Sequence, residues 1–237
     1  MASPATSSRF TGFPKGGFDF FFELQTRQSR EWFKANKGRF EELWQRPMEA
    51  LLEELAERLQ KDFPEIGQAR RKVFRIQRDT RFSADKSPYK THIAGHIPVR
   101  PQAEGDWSVP SVYVHFGLEE NVAALGQWEL DNDGLQRFRK AIDADKSGAQ
   151  LQTIMDGLGK KGYDVHSHHS LKRVPPPYKQ DHPRAELLKL KGLAVGTPEI
   201  PEELMPSHEL ADWLVEHFRE AAPVAHWLDA ALAPGAR

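Results

Sequence analysis

Ser111-Val112-Tyr113-Val114-His115-Phe116-Gly117-Leu118-Glu119-Glu120-Asn121-Val122-Ala123-Ala124-Leu125-Gly126-Gln127-Trp128-Glu129-Leu130 is the stretch on which the fold turns. Its first half alternates, with Val112, Val114 and Phe116 on one face of an extended chain and Ser111, Tyr113 and His115 on the other. Glu119-Glu120-Asn121 supplies a hairpin turn, and Val122 to Leu130 is the return strand. Upstream, Val73 to Arg78 and Ile93 to Val99 have strand-like composition, with Phe82 to Lys90 as their connection. Connections this short cannot hold crossover helices, so the sheet is expected to be mainly antiparallel. Pro101 to Pro110 is a polar loop, with Trp107 as a local packing anchor.

Helical patterns lie on both sides of these strands. Phe18 to Leu24 reads as a short buried helix or, at that length, a strand, and Ser29 caps a helix that runs to about Gln45. Pro47 suits the first turn of a third, whose Met48, Leu51, Leu52, Leu55 and Leu59 make one apolar face. Glu41 to Glu65 carries eight carboxylates against three cations, as a solvated outer face would. Beyond the strands, Leu135, Phe138 and Ile142 keep helical spacing, and Ser147 can cap the next helix. Tyr163 to Lys172 reads as one more short strand, Val174 to Tyr178 as a polyproline-like bend, and Pro183 to Leu190 as a short helix. Ser207 opens a helix with Leu210, Trp213, Leu214 and Phe218 on one face, and Pro223 starts a terminal segment. The expected class is α+β: a central, mainly antiparallel sheet flanked by N-terminal and C-terminal helices, forming one domain over 10–233 behind a disordered leader at 1–9.

The 237 residues are 39% hydrophobic and 28% charged, an ordinary globular balance, with six Trp and 14 Phe to fill a core. A net charge of -1 gives no global attraction to nucleic acid or to an anionic membrane. With no cysteine there are no disulfides, thiolate metal sites or cysteine nucleophiles. The N-terminal residues lack the order of a secretory signal, and no apolar run approaches a membrane span, so a cytoplasmic location is expected.

Charge is nonetheless concentrated. Between Arg70 and Arg100 nine cations face only Asp79 and Asp85. In a regular strand Arg75 and Arg81 face one way and Arg78 the other, so no single ligand meets all the arginines. The connecting loop can fold back to gather Arg78, Arg81, Lys86 and Lys90, with Asp79 or Asp85 orienting an arginine through a bidentate pair. Tyr89 after Pro88 is either a stacking surface for a ligand or a plug over the loop. Asn36, on one helical stripe with Trp32 and Phe40, either bonds a neighbouring loop or faces the cations together with Lys37. His115 can serve as an acid or base, or can be a satisfied sheet histidine. His92 with His96, or His166 with His168 and His169, raise the question of metal, but no zinc-type spacing accompanies them and no metal is expected. No cofactor-binding glycine loop is present either.

Arg78-Asp79-Thr80-Arg81-Phe82-Ser83-Ala84-Asp85-Lys86-Ser87-Pro88-Tyr89-Lys90-Thr91 resembles the signature of a bacterial and fungal family of conserved hypothetical proteins, domain of unknown function 2461. The likeness extends to Arg30 to Lys37, Tyr113 to Leu118, Asp181-His182-Pro183 and Leu187 to Gly192, and covers about residues 10 to 225. At Pro175-Pro176-Pro177-Tyr178 similar proteins tend to carry a glycine before the tyrosine. The resemblance implies a single shared domain and brings no established reaction, cofactor or catalytic residue.

The expected function is binding of an anionic small molecule, phosphorylated or carboxylated, at the strand-loop site from Arg78 to Lys90, and whether chemistry follows is left open. Two alternatives stand beside it: a nucleic-acid or protein interaction module using the same basic segment, and a ligand-free latch of salt bridges.

Overall fold

The computed structural model describes residues 9–81, 84–103, 108–165 and 170–233. Residues 1–8 of the expected leader, Phe82, Trp107 and the triplet His166, His168 and His169 lie outside the described residues.

Five strands form one antiparallel sheet in the order of the chain: β1 (Lys72–Val73), β2 (His92–Pro98), β3 (Ser111–Gly117), β4 (Asn121–Gln127) and β5 (Leu193–Gly196). The alternation in β3 sets the layers. Val112, Val114 and Phe116 are fully buried, as are Ile97 and Leu125 on the neighbouring strands. Tyr113, His115, Val122, Ala124 and Ala194, on the opposite face, are only half-buried. One side of the sheet is therefore core, and the other stays partly open, as antiparallel sheets allow.

Helices α1 (Gly17–Thr26), α2 (Arg30–Phe40) and α3 (Arg46–Arg58) precede the sheet. Ser29 caps α2 as expected, its hydroxyl accepting from Trp32 N at 3.1 Å. A π-helical turn, Glu41–Gln45, joins α2 to α3 and carries Trp44, whose indole N–H donates to Gly17 O at 2.8 Å. Helix α3 lies on the buried side of the sheet, where a Cβ on Gly95 would stand only 2.7 Å from Leu52 Cδ1. After β4 come α4 (Asn132–Asp143), α5 (Asp145–Lys160) and α6 (Ala185–Lys189), then β5 and α7 (Glu209–Leu232). Helix α7 packs on β4 and against α3, so helices from the two ends of the chain share one face.

Several local expectations change. Ser147 lies inside α5 and caps nothing; its carbonyl accepts from Trp227 Nε1 at 3.0 Å. Pro223 sits within α7 and does not begin a new segment. Burial of Ala221, Ala222, Val224 and Ala225 around it shows tertiary packing carrying the helix past the missing N–H. Of the expected strand from Tyr163 to Lys172, residues 166–169 lie outside the described residues, and the rest contributes isolated bridges at Asp164 and Ser170. The fifth strand is Leu193–Gly196, which a four-residue run cannot announce. Among the described residues no helix is long and apolar enough to cross a membrane.

Candidate functional site

The charged segment forms a bulged hairpin that extends the sheet. Lys72 pairs with His96, and Phe74 N donates to Ala94 O at 2.8 Å. The register then slips by two residues: Lys90 N donates to Ile76 O and Arg78 N to Pro88 O, both at 2.9 Å. The surplus residues on the second arm make a bulge around Thr91-His92-Ile93, and bulges re-aim side chains. Regular strand is thus confined to Lys72–Val73, and the facing rule that separates Arg75 from Arg78 does not apply beyond it. Both guanidiniums act electrostatically on Lys90.

The open face of the sheet beside this hairpin carries an aromatic and imidazole cluster. The His92 and His115 ring centres are 4.1 Å apart, and Tyr113 Oη lies 3.2 Å from His115 Nδ1. Phe74 stacks on His96 at 5.2 Å. Burial pushes His92 down to about 4, helped by the charges of His115, Lys90 and Arg78. Burial, then Lys72, brings His96 to about 4 as well. His115 is lowered by burial, with Glu120 opposing, and burial pushes Tyr113 up to about 12. At neutral pH these rings are uncharged and the phenol keeps its proton. The Tyr113 hydroxyl and His115 Nδ1 share one hydrogen bond, whose direction follows the imidazole tautomer.

Lys90 stands at the edge of this cluster. It is half-buried, and among the described residues no carboxylate pairs with its ammonium. Burial and the charges of Arg75 and Arg78 lower its pKa. Arg78 reaches Asp85 through Nη1 at 3.1 Å, while its Nε is enclosed without a hydrogen-bond partner.

The other expected residues are dispersed. Arg81 is exposed at the hairpin tip, where Nε and Nη2 grip Asp79 at 3.0 and 2.7 Å and hold that carboxyl well below the usual carboxylate range. Lys86 is exposed and donates to Thr80 O at 2.8 Å. Asp85 accepts from the backbone and hydroxyl of Ser87, which lower its pKa together with Arg78. The tip pairs therefore run Arg78 to Asp85 and Arg81 to Asp79. Tyr89 is buried, its ring stacked on Phe33, and its backbone N and O are both held by the Gln28 amide at 3.0 and 3.1 Å. Asn36 donates to Trp32 O within its own helix at 2.9 Å and accepts from Arg39 at 3.0 Å. Lys37 is exposed and pairs with Glu41 at 3.0 Å.

Structure thus gathers Arg78, Lys90 and His115, adding His92 and Tyr113, and leaves Arg81, Lys86, Asn36 and Lys37 elsewhere. His92 and Tyr113 join the site through strand register, which places Ala94 opposite His115 and His96 opposite Tyr113. In the sequence, spacing puts Tyr113 and His115 on one strand face, and His92 stands out only beside His96. A cleft of about 790 Å³ opens under the β1 edge, lined by Phe33, Lys37, Phe40, Arg71, Phe74 and Arg75 among others; Arg78, Arg81, Lys86 and Lys90 do not line it. Among the described residues no group of three or more His, Asp or Glu side chains is placed to hold a metal ion.

No curated protein and no solved structure matches the chain. One family model does, over residues 17–227, which spans α1 to the last turns of α7 and includes the whole sheet and the bulged hairpin. The chain belongs to that family, described as conserved hypothetical protein (DUF2461).

Proposed function

We propose that the protein binds an anionic small molecule, through a phosphate or carboxylate group, where Arg78, Lys90 and His92 converge at the end of the open sheet face. His115 and Tyr113 stand beside the anion as neutral hydrogen-bonding groups. The observation that carries the reading is Lys90, a half-buried ammonium flanked by Arg75 and Arg78 and paired with no carboxylate among the described residues. Like charges gathered out of bulk water repel one another strongly, and a bound anion reverses the sign of that interaction. The Nε of Arg78 is enclosed without a partner, and a guanidinium's planar fork suits phosphate and carboxylate alike.

A structural latch is the second reading, favoured by the pairing of Arg81 with Asp79 and Arg78 with Asp85 at the tip. Thermal unfolding with inorganic phosphate separates the two. For an anion site, phosphate raises the melting temperature of the wild type through linkage. Lys90→Met should abolish that rise while leaving the phosphate-free protein as stable or more so, because it removes a repulsive charge. A latch predicts no response to phosphate, acetate or simple phosphate monoesters, and a loss of stability in Arg78→Gln and in Arg81→Gln. Response to polynucleotides only, collapsing steeply with salt, would transfer the segment to nucleic-acid binding.

A further inference from the structure

Helices α4, α5 and α7 border a second, open-sided pocket of about 460 Å³, whose described lining includes neither the hairpin nor its cations. Ile154, Pro223 and Trp227 are its large apolar groups, and its polar groups include Arg137, Lys140 and His226 beside Ser147 and Gln150. Among the described residues no carboxylate lines it, although the chain as a whole has one more acid than base.

The polar groups divide by what they already do. His226 is committed, its Nε2 to Asp62 O at 2.9 Å and its ring edge-on to Phe63, so it closes the wall. The Trp227 indole N–H is also committed, to Ser147 O, which leaves the ring as a flat surface with no polar demand. Arg137 is different. Among the described residues it makes no ion pair and no hydrogen bond, and its Nε is enclosed. Lys140, one turn on, makes no ion pair either. Three carboxylates of these helices are engaged with other cations: Asp143 with His182, Asp145 with Arg184, and Asp229 with Arg100. A half-buried guanidinium with no carboxylate partner among the described residues carries charge partly withdrawn from water, and a bound anion would compensate it. Here it stands at the mouth of an apolar cavity of ligand size.

We infer that this cavity is a binding site for a small amphipathic organic anion, a carboxylate carried on an apolar body. Arg137 grips the carboxylate with its fork, Lys140 adds a second charge at the rim, and the body lies on Trp227 between Pro223 and Ile154. The arrangement selects charge and apolar body together, so inorganic phosphate is a poor occupant.

The test uses 2-naphthoate as the probe and the neutral 2-naphthamide as its counterpart, titrated into the ¹⁵N-labelled full chain. The chain has six tryptophans, and the Trp227 indole N–H signal is assigned by its absence in Trp227→Phe. Naphthoate should shift that signal saturably, and naphthamide should bind at least about tenfold more weakly, as loss of a charge-assisted hydrogen bond implies. Arg137→Gln should weaken naphthoate by a similar factor. Ala230→Leu, which fills the cavity from α7 without touching the cations, should block it. Arg78→Gln should leave it unchanged, so failure here and failure of the hairpin site are separately visible. Equal binding of acid and amide, or an Arg137→Gln variant that binds as wild type, would leave only an apolar groove and overturn the assignment. So would a Trp227 signal that stays fixed at every naphthoate concentration, or one displaced equally by inorganic phosphate.

Discussion

The Tyr89 ring stacks on Phe33, centroids 4.4 Å apart and planes 24° from parallel, and this contact ties the hairpin to helix α2. The Gln28 amide completes the tie by bonding both backbone groups of Tyr89. Tyr89 is therefore the hairpin's anchor, and Gln28 covers an edge that would otherwise be unpaired. Phe33→Ala should destabilise the protein by about 3–5 kcal/mol in urea unfolding, as removal of a buried aromatic does. Gln28→Ala should cost about 1–3 kcal/mol by orphaning two backbone groups. Small effects from both would mean that the hairpin is held by other contacts.

His92 and His96 set a pH dependence. Both are pushed down to about 4 in the folded chain, from an ordinary 6.5. Between these values the unfolded chain binds more protons than the native one, so stability is fully present above about pH 6.5 and lost as pH falls towards 4. Imidazole NMR signals of both residues should stay at their neutral positions down to pH 5, while the melting temperature declines over the same range. Titration of either ring near 6.5 would remove the effect and the burial that causes it.

At the hairpin tip the expectation is opposite. Arg81 and Lys86 are exposed, and exposed ion pairs contribute about 0–1 kcal/mol. Arg81→Gln and Lys86→Gln should each change unfolding free energy by less than about 0.5 kcal/mol. A larger loss in chemical denaturation would show that the tip pairs do hold the fold, as a latch requires.

Gly126 has φ of 145° and lies against β5, where an added Cβ would come within 2.2 Å of Leu193 O. Both the backbone angle and the space exclude a side chain. Gly126→Ala should therefore push β5 off β4 and destabilise by at least about 2 kcal/mol, the scale of a strained overpacked site. Amide exchange should show the loss first at Leu193 to Gly196. Wild-type protection of those amides in the variant would contradict the tight strand approach.

Much of the fold was legible because it rests on periodicity. The alternation at Val112, Val114 and Phe116 separated core face from open face, and Met48, Leu51, Leu52, Leu55 and Leu59 marked one buried helical stripe, all fully buried in the structure. Errors came where tertiary packing overrode a local rule: Pro223 inside α7, Ser147 inside α5, and a strand too short to show a pattern. The site was half legible. Composition marked the charged segment from Arg70 to Arg100 but could not divide it, since side-chain facing there depends on a bulge.

By itself, then, the sequence determined an antiparallel α+β domain, the apolar face of each long element, and the hairpin segment whose signature identifies the family. Local spacing alone is enough for these, because each is written in neighbouring residues. Only tertiary structure decided that Tyr89 goes inward onto Phe33, that Arg81 and Lys86 remain outside, and that Lys90 meets Arg78 beside His92 and His115. Those relations join residues on separate arms of a hairpin and separate strands of a sheet. Their register is set by a two-residue slip between the arms, and no local pattern encodes that slip.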